Sequence, residues 1–325
     1  MKRSAVLGIA LLGALGASAR AQQAGKLYRV GILSGRSIAV DRPFLDAFRR
    51  RLSSLGYEEG TNLEIVYRGA GGNVKRLPQL ASELVRTKPD AIAANGSPAI
   101  AAAKRATGFV PIVMNEVADP VGSGFVTSLA RPGGNLTGLT NMAAELGGKR
   151  LQLLKELHPS LKRVAVTWNA LNPASLTAFR EVEREAHGLG IAAAAVDIES
   201  SGQIDAAFKM IPQLHADGVI VFPDSVMLSI APRVVGLVAG LRLPAVYANS
   251  LFTAAGGLMY YGPSVLATWI QTATYVDRIL KGAKPADLPV QQPTTFDLVV
   301  NLKTAHALGL TVPQSILLQA TQVIR

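Results

Sequence analysis

Two stretches decide how this chain is read: Arg29-Val30-Gly31-Ile32-Leu33-Ser34-Gly35 and Arg163-Val164-Ala165-Val166-Thr167-Trp168-Asn169. Each is a short, nearly continuous apolar run. Neither alternates apolar with polar, as a strand with one wet face would. That is the pattern of a strand buried on both faces of a parallel sheet. Two further pairs echo each other in the same order. Asp90–Asn95 matches Asp217–Phe222, and Pro111–Asn115 matches Pro244–Ala248. The three offsets are 134, 127 and 133 residues. Three matches in one order at nearly one offset point to two similar lobes.

Helical patterns fill the gaps between these runs. After Ser34, the residues Phe44, Leu45, Phe48, Leu52 and Leu55 share one helical face, which Gly56 ends. "NLEIVYR", "DAIAA" and "PIVMN" read as further strands, with helices between them. The order βαβαβαβ predicts a parallel sheet covered by helices. It starts again at Arg163. There Leu176, Phe179, Val182, Ala186 and Leu189 line a second helix, and "DGVIVFP" and "PAVYAN" are later strands. The predicted class is α/β, with two similar doubly wound parallel-sheet lobes joined by a multi-crossing hinge. The expected N-terminal lobe spans 26–140 plus about 250–285. The expected C-terminal lobe spans 141–249 plus about 286–325. The crossings are expected near Thr140-Asn141 and Ser250.

The chain has 325 residues and no cysteine. A disulfide framework, a thiolate nucleophile and a Cys-based zinc site are therefore excluded. Residues 1–21 carry Lys2 and Arg3, an apolar run from Ala5 to Ala17, and the A-x-A triplet Ala19-Arg20-Ala21. That order is a secretory signal peptide, with cleavage expected before Gln22. Without a cysteine, lipid attachment at that site is excluded. The expected product is a soluble periplasmic protein, not a lipoprotein. The net charge of +11 is scattered, and its densest cluster, Arg49-Arg50-Arg51, lies in an amphipathic helix pattern. Together with export, this argues against nucleic acid as a partner.

Catalytic and cofactor motifs are missing. The four histidines are far apart and show no H-E-x-x-H spacing. There is no G-x-S-x-G elbow. Gly147-Gly148-Lys149-Arg150 lacks the first glycine and the Ser/Thr of a phosphate loop, and no G-x-G-x-x-G follows the first strand. No enzyme activity, metal or cofactor is expected.

In open parallel sheets, ligands bind beyond the carboxyl ends of the strands. Those ends hold Ser34, Gly35, Asn95, Gly96, Ser97, Asn115, Glu116 and Asp119 in the first half. In the second half they hold Trp168, Asn169, Pro223, Asp224, Tyr247 and Asn249. Ser97 followed by Pro98 reads as a helix cap whose free N–H groups attract a carboxylate. Trp168 and Tyr247 are candidates to stack on a flat ligand. Asp119 and Asp224 suit an amine, with turn and cap chemistry as their alternative roles. With Asn141 at the crossing, the candidate ligand-binding set is Ser34, Gly35, Asn95, Gly96, Ser97, Asp119, Asn141, Trp168, Asn169, Asp224 and Tyr247.

Three longer stretches carry a family resemblance. They are "VADPVGSGFVTSLARPGGNLTGLTN" (117–141), "LPAVYANSLFTAAGGLMYYGP" (243–263) and "YVDRILKGAKPADLPVQQPTTFDLVVNLKTAHALGLTVP" (275–313). They resemble the ABC transporter substrate-binding proteins of tryptophan/tyrosine-type uptake systems. The resemblance implies a type I periplasmic-binding fold and no catalysis. It implies delivery of a small solute, such as an aromatic amino acid or related carboxylate, to an inner-membrane permease and ATPase, and a monomer is expected. Alternatives are a ligand sensor that docks on a membrane receptor and an exported α/β enzyme.

Overall fold

The computed structural model describes residues 26–142, 146–169 and 173–325. The expected signal peptide, residues 1–21, lies outside them. Strands β1 (Tyr28–Ser34), β2 (Leu63–Gly69), β3 (Ala91–Asn95), β4 (Ile112–Val117) and β5 (Leu136–Thr140) form one sheet, in the order β2-β1-β3-β4-β5. Every pairing in it is parallel. Helices α1 (Ile38–Ser54), α2 (Leu77–Arg86) and α3 (Ser97–Ala106) connect the first four strands. Alternation within β1 shows why its centre is apolar on both faces. Val30 and Ile32 enter one core with Phe44 and Phe48, while Leu33 enters the other with Leu77 and Leu84.

The second sheet holds β6 (Arg163–Trp168), β7 (Ala192–Asp197), β8 (Gly218–Val221), β9 (Ala245–Tyr247), β10 (Met259–Pro263), β11 (Phe296–Asn301) and β12 (Gln322–Ile324). Their order is β12-β11-β10-β9-β8-β6-β7. Its pairings are parallel except β10 with β11. Around it lie α4 (Gly147–Leu157), α5 (Pro173–Gly188), α6 (Ile204–Met210), α7 (Ser225–Ser229), α8 (Ala231–Leu241) and α9 (Ser250–Ala254). The helix α10 (Val265–Leu280) follows β10. The chain ends through α11 (Leu302–Ala307), α12 (Gln314–Gln319) and β12.

The boundary expected near Ser250 is corrected. Strand β10 pairs with β9, and Phe252 of α9 packs in the second lobe's core, so 250–263 belongs to the second lobe. The return to the first lobe comes after Pro263. There α10 drives Trp269 between Phe44 and Phe48, with ring centroids 6.3 and 6.2 Å away. Trp269 is 1% exposed. Truncating such an aromatic costs about 3–5 kcal/mol, so α10 braces the first lobe through this contact. Residues beyond 285 also stay with the first lobe: Thr137 Oγ1 donates to the Leu288 carbonyl at 2.6 Å, and Gln291 bridges to Leu139. The last crossing therefore lies between Gln291 and Phe296, later than expected.

Candidate functional site

The carboxyl ends of β1, β3 and β4 face those of β8 and β9 across a cleft. Residues from both lobes line it. The space open to the centres of water-sized molecules is about 80 Å³. A single water needs roughly 10–15 Å³ by that measure, so the cleft suits a small molecule rather than a peptide.

The first lobe contributes a buried charged network. Arg36 lies two residues beyond Ser34, the last residue of β1, and is 2% exposed. Its Nε donates to Asp41 Oδ1 at 2.5 Å, and its Nη1 lies 3.0 Å from Glu116 Oε2. With the Asn95 amide oxygen turned toward the guanidinium, that oxygen accepts from Arg36 Nη2 at 2.5 Å. The amide nitrogen then donates to Glu116 Oε2 at 2.7 Å. Asp41 is fully buried in the first turn of α1, where Tyr67 also donates to it at 2.8 Å. Burial alone would lower the Arg36 pKa. The carboxylates of Glu116 and Asp41 outweigh it and hold the pKa above its ordinary value, so the guanidinium stays charged.

Glu116 owes its aim to an irregularity. The β4–β5 register shifts between Met114 and Val117, and Glu116 has φ +56°. A left-handed residue other than glycine is strained, and such strain concentrates at functional sites. At the start of the shift, opposite Met114, Gly138 has φ +136°, and a Cβ there would lie 2.2 Å from the Met114 carbonyl oxygen. Only glycine lets the two strands approach so closely. Thus aimed, Glu116 Oε1 reaches across the cleft to Asn249 Nδ2 at 3.4 Å.

The second lobe supplies Arg150 and Asp224. Arg150, on α4, is 1% exposed, and its Nε donates to the Tyr261 carbonyl at 2.8 Å. Burial lowers its pKa to about 10, against smaller raising effects from Tyr260 and Tyr261. Asp224 caps α7 by accepting from the Val226 N–H at 2.9 Å. Burial raises its pKa, and hydrogen bonds from the Val226 backbone, the Asn169 side chain and the Ser225 backbone oppose the shift. Ala178, Phe222, Leu228 and Ala248 add an apolar wall.

These two lobes, with a polar cleft between them, match a known family. Residues 39–324 fit the family described as ABC transporter substrate binding protein. The chain belongs to that family. It is 27% identical over 280 residues to the "Tyrosine-binding protein" of Clostridioides difficile (strain R20291), covering 85% of this chain and 80% of that one. The fold of an ABC domain solved in complex with L-Trp from Streptococcus pneumonia is similar, with TM-score 0.86 and 26% identity. That match covers 92% of this chain and all of the other. A conserved domain protein from Vibrio cholerae has TM-score 0.86 and 28% identity over the same shares. A leucine binding protein LivK from Thermotoga maritima, at 14% identity and TM-score 0.57 over 77% of this chain and 81% of that one, shares the type I binding-protein fold.

In this substrate-binding protein, the strand-end candidates part into three groups. Asn95, Gly96, Ser97, Asn141 and Asp224 line the cleft. Gly96, with φ +81°, takes the cap position of α3, and Ser97 is its first helical residue. Three candidates lie just behind or beside the lining. Ser34 is fully buried and its Oγ accepts from the Arg36 N–H at 3.1 Å. Gly35 abuts Ser225 of the other lobe. Asn169 hydrogen-bonds Asp224.

Three expectations are corrected. Asp119 does not reach the cleft lining, because its Oδ1 accepts from the Gly122 N–H at 2.8 Å in a turn. Tyr247 is 1% exposed and stacks on Phe252 at 5.2 Å in the core. Alternate residues of a strand face opposite sides. Ala248 therefore joins the α4/α5 side, and Tyr247 the other. Trp168 packs on Phe179 at 5.4 Å rather than over the cleft.

Arg36, Arg150, Ser175 and Phe222 line the cleft without having been singled out as site residues. A signal existed for Arg150. It shares a helical face with the buried Leu153, Leu154 and Leu157, and a cation in an apolar stripe asks for an explanation.

Proposed function

We propose that this substrate-binding protein captures a free amino acid in the cleft and delivers it to a membrane permease driven by an ATPase. The carrying observation is charge. Arg36 and Glu116 of one lobe face Arg150 and Asp224 of the other, and all four line one small cleft. A zwitterion matches such a site, because buried charges are tolerated only where they are paired. The relatives named for tyrosine and L-Trp favour an aromatic side chain, and Phe222 with Ala178 and Ala248 is the apolar wall against which it would lie. Asn95, Gly96, Ser97 and Asn141 complete the proposed contacts. The amino-terminal pattern of residues 1–21 supports export, and the protein would act in the periplasm.

Thermal unfolding of residues 22–325 against the twenty amino acids, simple sugars and nucleosides tests this reading. A ligand at a hundred times its Kd adds about 2.7 kcal/mol. The expected result is a rise in Tm with amino acids, largest for tyrosine or tryptophan. A rise only with sugars or nucleosides, or none at all, overturns it.

A further inference from the structure

We infer that Glu116 receives the ammonium group of the bound amino acid and so fixes which way round the ligand lies between the lobes. The inference rests on the amino-acid reading above. Two carboxylates, Asp41 and Glu116, flank the single guanidinium of Arg36 in the buried network. The third neighbour, Asn95, is uncharged. The network therefore carries one excess negative charge at the cleft wall, and a cation balances it.

Arg36 is not the group that meets the ligand's carboxylate. Its Nε, Nη1 and Nη2 each engage a side chain of its own lobe. Glu116 is different. Its Oε2 is held by Arg36 and Asn95, but among the described residues its Oε1 has only the long 3.4 Å contact to Asn249, at the weak end of hydrogen bonding. That oxygen has room for a charge-assisted bond. Asp224 is the rival acceptor. It already takes bonds from Val226, Ser225 and Asn169 as a helix cap. With the ammonium on Glu116, the ligand's carboxylate points toward the second lobe, on whose wall Arg150 stands.

The test compares L-tyrosine and L-tryptophan with their des-amino counterparts, 3-(4-hydroxyphenyl)propionate and 3-(indol-3-yl)propionate. Each is titrated by calorimetry into wild-type protein and Glu116→Gln. Wild type is expected to prefer the amino acid by on the order of 30-fold or more, the range for a lost partner of a buried charge. In Glu116→Gln that preference is expected to shrink below about threefold. A variant that keeps the wild-type preference overturns the inference alone. The wild-type comparison stands independently of how the variant folds: equal affinity for the amino acid and its des-amino counterpart also overturns the inference. Wild type that binds neither amino acid overturns the amino-acid reading and this inference with it.

Discussion

Gly35 of the first lobe and Ser225 of the second meet so closely that a Cβ on Gly35 would lie 2.5 Å from Ser225 Oγ and 2.7 Å from Ser225 Cβ. Rotating the hydroxyl relieves only the first of these contacts. Gly35→Ala is therefore expected to hold the lobes apart and weaken ligand binding about tenfold, on the scale of the 1–3 kcal/mol of an overpacked contact. The unliganded Tm should change little. Ser225→Gly in the same chain should restore the affinity. Unchanged affinity in Gly35→Ala, measured by calorimetry, contradicts closure at this contact.

Asp224→Asn keeps an oxygen for the Val226 N–H, since asparagine caps helices as well as aspartate does. Burial raises the Asp224 pKa in the folded protein. The folded state thus holds this proton more tightly than the unfolded one. Its stabilising contribution is present below the ordinary 3.8 and is lost as pH rises through the folded value. The asparagine variant lacks that loss. Its Tm should equal or exceed wild type at pH 7, with the difference shrinking toward pH 3. A fall of several degrees at pH 7 would show that the charge stabilises the fold.

At the alkaline end, burial raises the pKa values of Tyr67, Tyr247, Tyr260 and Tyr275, the last to about 12. Unfolded tyrosines ionise near 10. Between 10 and the folded values the native state holds more protons, so stability falls as pH rises. Arg150 works the other way. Its burial penalty is fully present below about pH 10 and is relieved between there and 12.5. Four tyrosines outweigh one arginine. Urea midpoints should drop steeply above pH 10, and a flat profile to pH 11 would contradict these burials.

Trp168→Phe is expected to leave affinity within about twofold, because the indole packs on Phe179 and its buried Nε1 has no hydrogen-bond partner among the described residues. Replacing an unsatisfied donor with an apolar ring of similar shape is nearly neutral. A tenfold loss of tyrosine or tryptophan binding would put the indole back at the ligand.

Much of the fold was legible. Runs such as Val30–Leu33 and Gly218–Phe222 are apolar because both faces of each sheet are covered, and their echo at nearly one offset marks two lobes. Residues at the carboxyl ends of strands were legible for the same reason: Asn95, Ser97 and Asp224 all reach the cleft. Which face a strand residue takes was harder to read. Tyr247 and Ala248 are adjacent, and one step moves the side chain from the wall to the core. The sheet joined by Met259–Pro263 was also hidden, because five apolar residues carry no mark of their neighbour. Glu116 reaches the cleft through a register shift and a left-handed backbone. Neither has a signature in residue types.

Equilibrium dialysis of residues 22–325 against radiolabelled L-tyrosine and L-tryptophan tests the central claim most directly. The expected result is one amino acid retained per chain, displaced by excess unlabelled ligand and recovered chemically unchanged. Retention of neither amino acid would contradict capture in the cleft, and recovery as a different compound would contradict a role in binding alone.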